Sequence, residues 1–136
     1  KLENMMHSAP IVQLTGARVA IKKGEAKITL PVKKDFFHAA GAMHGALYFL
    51  ALDNAAFFAV NSLVEDVFVL TASFNVHLFQ PITSGKMKAV GKVAQASRNM
   101  FVAEASLTDN DGMEIARGIG TYARSKAPLS PDIGYE

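Results

Sequence analysis

The stretch Gly45-Ala46-Leu47-Tyr48-Phe49-Leu50-Ala51-Leu52-Asp53-Asn54-Ala55-Ala56-Phe57-Phe58-Ala59-Val60-Asn61-Ser62-Leu63 decides how the rest of the chain is read. It is too long for an ordinary strand, and its Ala and Leu content favours helix. It carries no polar stripe, which marks a helix enclosed by other parts of the protein. A membrane span is the competing reading for Ala46 to Leu63. Asp53 near the middle argues against it, because a carboxylate is costly to place in a bilayer core. The rest of the chain also reads as strands that need something to cover. The expectation is a buried helix.

Working outward, Lys33 to Met43 reads as a loop, and Ala26 to Val32 alternates with the period of a half-buried strand. Ile11 to Ile21 has a less regular strand-like pattern, with Lys22 to Gly24 as a turn and residues 1–10 as a loosely specified lead-in. After Glu65-Asp66 four more strands are expected: Val67–Leu78, Lys86–Ala96, Met100–Thr108 and Met113–Arg124. Asp109-Asn110-Asp111-Gly112 is a strong turn signal before the last of them. Ile115, Ile119 and Tyr122 are candidates to pack inward, and Ala127–Glu136 reads as a surface tail. Two strands, one apolar helix and a four-stranded meander suggest an α+β fold. In it, one antiparallel sheet curls around a central helix and buries every side of it. That is the hot-dog arrangement, expected as a single domain over residues 1–136.

Composition narrows the function. The chain has 136 residues, half of them hydrophobic, and a net charge of only +2. Its basic residues are scattered, so a dedicated nucleic-acid surface is not expected. The absence of cysteine removes disulfides, thiolate zinc sites and cysteine nucleophiles. Four histidines without ligand spacing make no zinc site, and no Gly-x-Ser-x-Gly elbow is present. The sequence opens on Lys1, so a natural start upstream or at Met5 or Met6 is expected, with no basic-then-apolar leader. These features fit a cytoplasmic protein.

Two features carry chemistry. Asp53 sits between Leu47–Leu52 and Ala55–Phe58. Burying an unpartnered carboxylate costs several kcal/mol or more, roughly, so it has either a structural partner or a task at a cleft. The second feature is Gly41-Ala42-Met43-His44-Gly45-Ala46, at the expected helix start. Free N–H groups and the positive end of the helix dipole lie there, and they can hold a developing oxyanion. On local grounds a plain glycine-containing helix start has the stronger claim on these residues, and His44 alone could equally be a satisfied polar residue.

His44-Gly45-Ala46, followed nine residues after the histidine by Asp53-Asn54, resembles the His-Gly-Gly…Asp pattern of hot-dog acyl-CoA thioesterases, relatives of phenylacetyl-CoA thioesterases and of thioesterase superfamily member 2. The likeness runs from about His38 through Gly85, including Asn75 and Pro81, and more loosely from Val19 to Arg124. It implies hydrolysis of acyl-CoA to free acid and CoA. The Gly45 N–H would polarise the thioester carbonyl, and Asp53 would act as general base or nucleophile at a site shared with a neighbouring subunit. Thr71 falls where the family has a Ser or Thr that helps to place the water. His38 stands at a loop position that is often Asn or Gln, so that amide role does not transfer. Ala46 replaces the usual second glycine.

The same resemblance puts a CoA contact at Ser97-Arg98-Asn99, where Arg98 could pair with a phosphate, although an ordinary exposed hairpin residue has at least as strong a claim. Phe36, Phe37, Met43, Tyr48, Phe49, Phe57, Phe58 and Phe74 could line an acyl tunnel, although a core role has the stronger claim for most. No metal or redox cofactor is called for, coenzyme A entering only as part of the substrate. The expected assembly is a homodimer, or a tetramer made of two dimers, because a curled sheet alone leaves edges exposed. Two other readings stay open. One is a hot-dog dehydratase or hydratase pairing His38 with Asp53, although the His-Phe-Pro-Gly loop is missing; the other is a non-catalytic acyl-CoA sensor.

Overall fold

The structure is a computed structural model that describes residues 1–136. Two short helices open the chain: α1 (Leu2–Ser8) and α2 (Pro10–Thr15). Then come β1 (Arg18–Lys22), β2 (Glu25–Pro31), the long helix α3 (Gly45–Asn61), β3 (Val67–Leu78), β4 (Lys86–Ala96), β5 (Met100–Thr108) and β6 (Glu114–Pro128). The six strands form one antiparallel sheet in the order β1-β2-β4-β5-β6-β3.

The sheet closes on α3 through alternate residues of its strands. Ala26, Ile28 and Leu30 of β2, Met87 and Ala89 of β4, and Phe101, Ala103, Ala105 and Leu107 of β5 are all buried. Small residues let helix and sheet approach closely. A side chain added at Gly91 would lie 2.3 Å from the backbone of Ala55, so only glycine fits where β4 crosses α3. Ala51, Ala55, Ala56 and Ala59 are fully enclosed on the helix side.

Four expectations need correction. The segment from Ile11 read as strand begins as helix α2, and part of the lead-in is helix α1. Pro10 opens α2 and Gly16, at φ 74°, ends it, a start-and-stop pair that outweighs the β-branched residues between them. The four strands after α3 are not a simple meander. The chain crosses the sheet along α3, so β3 lands on the far edge beside β6, and β4 pairs with β2 instead. Ile119 is 46% exposed, because Gly118, Gly120 and Tyr122 take the inward parity of β6. A Cβ at Gly118 or Gly120 would strike the Phe74 ring, so these glycines make room for it.

The fourth correction concerns the helix. It stops at Asn61, whose buried amide donates to the Val64 and Val67 carbonyls and accepts from Val69 N–H, turning the chain into β3. Nor is every side covered. Ala46 and Phe49 are exposed, and Leu50, Asp53 and Asn54 are half-buried. Their i, i+3, i+4, i+7, i+8 spacing places them on one stripe that the sheet leaves open. No helix is long and apolar enough to cross a membrane. The tail folds back rather than trailing, with a short 3-10 turn at Pro131–Ile133 and a hydrogen bond from Asn4 to the Glu136 carbonyl.

Candidate active site

Asp53 projects from the open stripe at mid-helix, and two hydroxyls meet it on the same oxygen. Thr71 Oγ1 donates to Asp53 Oδ1 at 3.0 Å, and the Tyr122 hydroxyl donates to that oxygen, also at 3.0 Å. Thr71 and Tyr122 are direct cross-strand partners on β3 and β6, so their side chains share one face of the sheet. A register irregularity between Thr71 and Ser73 follows immediately. Such bulges re-aim side chains next to functional sites.

No protein donor reaches Asp53 Oδ2, and no buried side-chain polar atom of the chain lacks a partner, so this oxygen is open to solvent. Burial pushes the Asp53 carboxyl above its ordinary value, with the Thr71 and Tyr122 hydrogen bonds pulling the other way. Burial also raises the Tyr122 phenol, and the neighbouring carboxylate adds to it, so Tyr122 stays a donor. No arginine contacts Asp53, and together with Thr71 it lines a cavity of about 980 Å³. This separates it from a purely structural ion pair.

The other candidates gather at the N-terminus of α3. His44 is the N-cap, and its Nδ1 accepts from the Ala46 N–H at 3.0 Å, while its carbonyl accepts from Leu47. With those two amides occupied, the Gly45 N–H is left without an acceptor in the chain, at the positive end of the dipole. His38 lies in a tight loop closed by its N–H on the Ala42 carbonyl, with its Nδ1 accepting from Ala40 N–H. Neither histidine bonds to Asp53 or lines its cavity. Ser97-Arg98-Asn99 form the exposed β4–β5 turn, held by Ser97 Oγ on the Met100 carbonyl, and no carboxylate pairs with Arg98. Of the aromatic candidates for a tunnel, Phe57 and Phe58 line the cavity beside Asp53, joined by Phe68. Phe36, Phe37, Met43, Tyr48, Phe49 and Phe74 do not.

The chain thus divides the candidates into two groups, His38-His44-Gly45 and Asp53-Thr71-Tyr122. Eight residues separate Gly45 from Asp53 on the same helix, which is about 12 Å of rise and about 80° of rotation. Within one chain the two groups do not converge on a single reacting atom. Tyr122 is the contact that sequence reading did not supply. Its inward position on β6 was legible, but not the β3–β6 pairing that delivers its hydroxyl to Asp53.

A six-stranded antiparallel sheet closed on one helix, with an acid at the helix's uncovered middle, defines a hot-dog protein. The chain belongs to the Thioesterase superfamily, whose sequence profile matches residues 40–116, more than half of its length. Among sequence relatives, a protein of Saccharolobus solfataricus whose name marks it provisionally as an esterase is 25% identical over 104 residues, covering 76% of this chain and 74% of its own. Among solved structures, the Escherichia coli PaaI protein from the phenylacetic acid degradation operon matches with a TM-score of 0.85 at 17% identity, covering 93% of this chain and 91% of that one. A thioesterase from Haemophilus influenzae matches at 0.81 and 20% identity, covering 88% and 85%.

Proposed function

We propose that the protein hydrolyses acyl-CoA thioesters to the free acid and CoA at a site completed by a second copy of the chain. The observation that carries this reading is the state of Asp53: one oxygen saturated by two hydroxyls, the other unpaired at a cavity. In the reaction, Oδ2 takes a proton from water as the water oxygen bonds to the thioester carbon. The carbonyl oxygen becomes an oxyanion and is held by the Gly45 N–H. Collapse of the tetrahedral adduct breaks the C–S bond. CoA leaves as a thiolate, which needs no strong general acid. Direct attack by Oδ2 is the nucleophilic variant. A single turnover in oxygen-18 water tests the nucleophilic variant, since label enters Asp53 only when an anhydride forms and water attacks its aspartyl carbon, whereas the base route labels the product acid alone.

The separation of Gly45 from Asp53 supports a two-fold assembly, in which Gly45, His44 and His38 of one copy face Asp53 and Thr71 of the other. The open stripe on α3 and the edge strand β3, with Leu70 and Leu78 each more than half exposed, are apolar surfaces suited to that contact. Arg98 remains a candidate for a CoA phosphate, and a cytoplasmic setting suits such a substrate. The test is release of free thiol from short, medium, long and aromatic acyl-CoAs. The wild type should release CoA, Asp53→Ala should lose at least about 100-fold in kcat, and Thr71→Ala should keep a fraction of the rate. Absence of thiol release from every substrate would remove the hydrolase reading.

A further inference from the structure

The cavity beside Asp53 has a wall that the catalytic groups do not explain. On one side it is lined by α3 and β3. The opposite side is built from both chain ends: Met5, Met6 and Pro10 of the helical pair, Ala127 at the end of β6, and Ile133 and Gly134 of the tail. None of these falls within residues 40–116, the part of the chain that matches the superfamily profile. The wall therefore lies outside the segment that the superfamily profile matches.

The two ends are fastened to each other and to the sheet. Asn4 donates to the Glu136 carbonyl, and Gly134 packs so closely on α1 that a Cβ there would lie 2.3 Å from Ser8 Oγ. His7 Nε2 accepts from Val19 N–H, and Glu3 accepts from Ile21 N–H, which ties α1 to β1. Met5 and Met6 are buried, and their flexible thioethers suit a surface that must fit variable apolar shapes. The charged residues lining the cavity are Asp53 and Asp132, both acidic, and no Lys or Arg faces it.

Resting on the thioesterase reading, we propose that this cavity is the acyl compartment, that the clasped chain ends form its far wall, and that it selects uncharged apolar acyl groups longer than acetyl. Its volume of about 980 Å³ leaves space well beyond an acetyl group. A distal carboxylate on the acyl chain would find no Lys or Arg in this lining and would share it with Asp53 and Asp132, so ω-carboxyacyl thioesters should be rejected.

The experiment compares acetyl-, octanoyl- and glutaryl-CoA as substrates. It also measures binding of acetyl and octanoyl ketone analogues of CoA, in which CH2 replaces the thioester sulfur. Octanoyl-CoA should exceed both others in kcat/KM by at least about tenfold, since each buried methylene is worth roughly fourfold. Ala9→Trp and Ala127→Trp, which add bulk at the wall, should each lower the octanoyl-to-acetyl ratio at least about tenfold, in turnover and in analogue binding. Two wall positions guard against one variant failing to fold. If the wild type turns over acyl-CoA but the ratio is unmoved by either variant, the compartment proposal is overturned. If nothing is hydrolysed yet the octanoyl analogue binds more tightly than the acetyl one and the variants abolish that preference, the compartment stands and the hydrolase reading falls.

Discussion

Tyr122 and Asp53 are 69 residues apart in the chain and meet through a 3.0 Å hydrogen bond from the phenol to Oδ1. The phenol is fully enclosed, so its donor has no water to turn to. The bond stabilises the charged carboxylate against burial, which on its own raises the carboxyl above its ordinary value.

Removing that donor should move the pH dependence. The reactive species is the carboxylate, so kcat/KM should rise with pH through an acid limb above 3.8, the ordinary aspartate value. In Tyr122→Phe the carboxylate loses a stabilising donor and the limb should move further up. The move should be partial, because Thr71 still donates to the same oxygen. A pH–rate profile measures this; an unmoved limb would mean that the phenol does not tune Asp53.

The same carboxylate should cost stability. Its folded pKa lies above the unfolded one, so between the two the folded state holds more protons than the unfolded. Stability therefore falls as pH rises through that window, and the penalty is complete above it. Asp53→Asn keeps an oxygen acceptor for Thr71 and Tyr122 and removes the charge. At pH 7 it should be inactive yet melt higher, by roughly 2–5 °C, and the gain should vanish as pH falls to 3.8. Calorimetry across pH reads this directly.

Phe49 offers a test of assembly. It is 41% exposed on the open stripe and packs edge-on against Phe74, with ring centroids 5.5 Å apart. A charge there would be buried in the proposed two-fold contact but solvated in a lone chain. Phe49→Glu should shift sedimentation toward monomer and lower thiol release at least about tenfold, the rate recovering in part at high protein concentration.

Much of this was legible in the residues. The long apolar run announced α3, and its single carboxylate marked Asp53 as the candidate, because no polar filler survives there unpartnered. Thr71 came from the resemblance and does reach Asp53. What the sequence withheld depends on pairing between distant segments. Local alternation assigns β3 and β6 as strands, but only the crossing of α3 makes them neighbours, and only that neighbourhood gives Tyr122 its partner. The uncovered stripe on α3 was hidden for a related reason: apolar residues left exposed look the same in sequence as apolar residues covered by the sheet. The helices α1 and α2 were missed although Pro10 and Gly16 bracketed one of them, since β-branched Ile11, Val12 and Thr15 also fit a strand.

The claim that one copy's Asp53 works with another's Gly45 is tested most directly by mixing two crippled chains. Asp53→Asn lacks the base, while Gly45→Pro lacks the N–H at a helix position that tolerates proline. Each alone should release almost no thiol from octanoyl-CoA. Heterodimers, verified by native mass spectrometry, would carry one intact site in two, so an equal mixture should recover about a quarter of the wild-type rate. Heterodimers no more active than their parents would contradict the shared site.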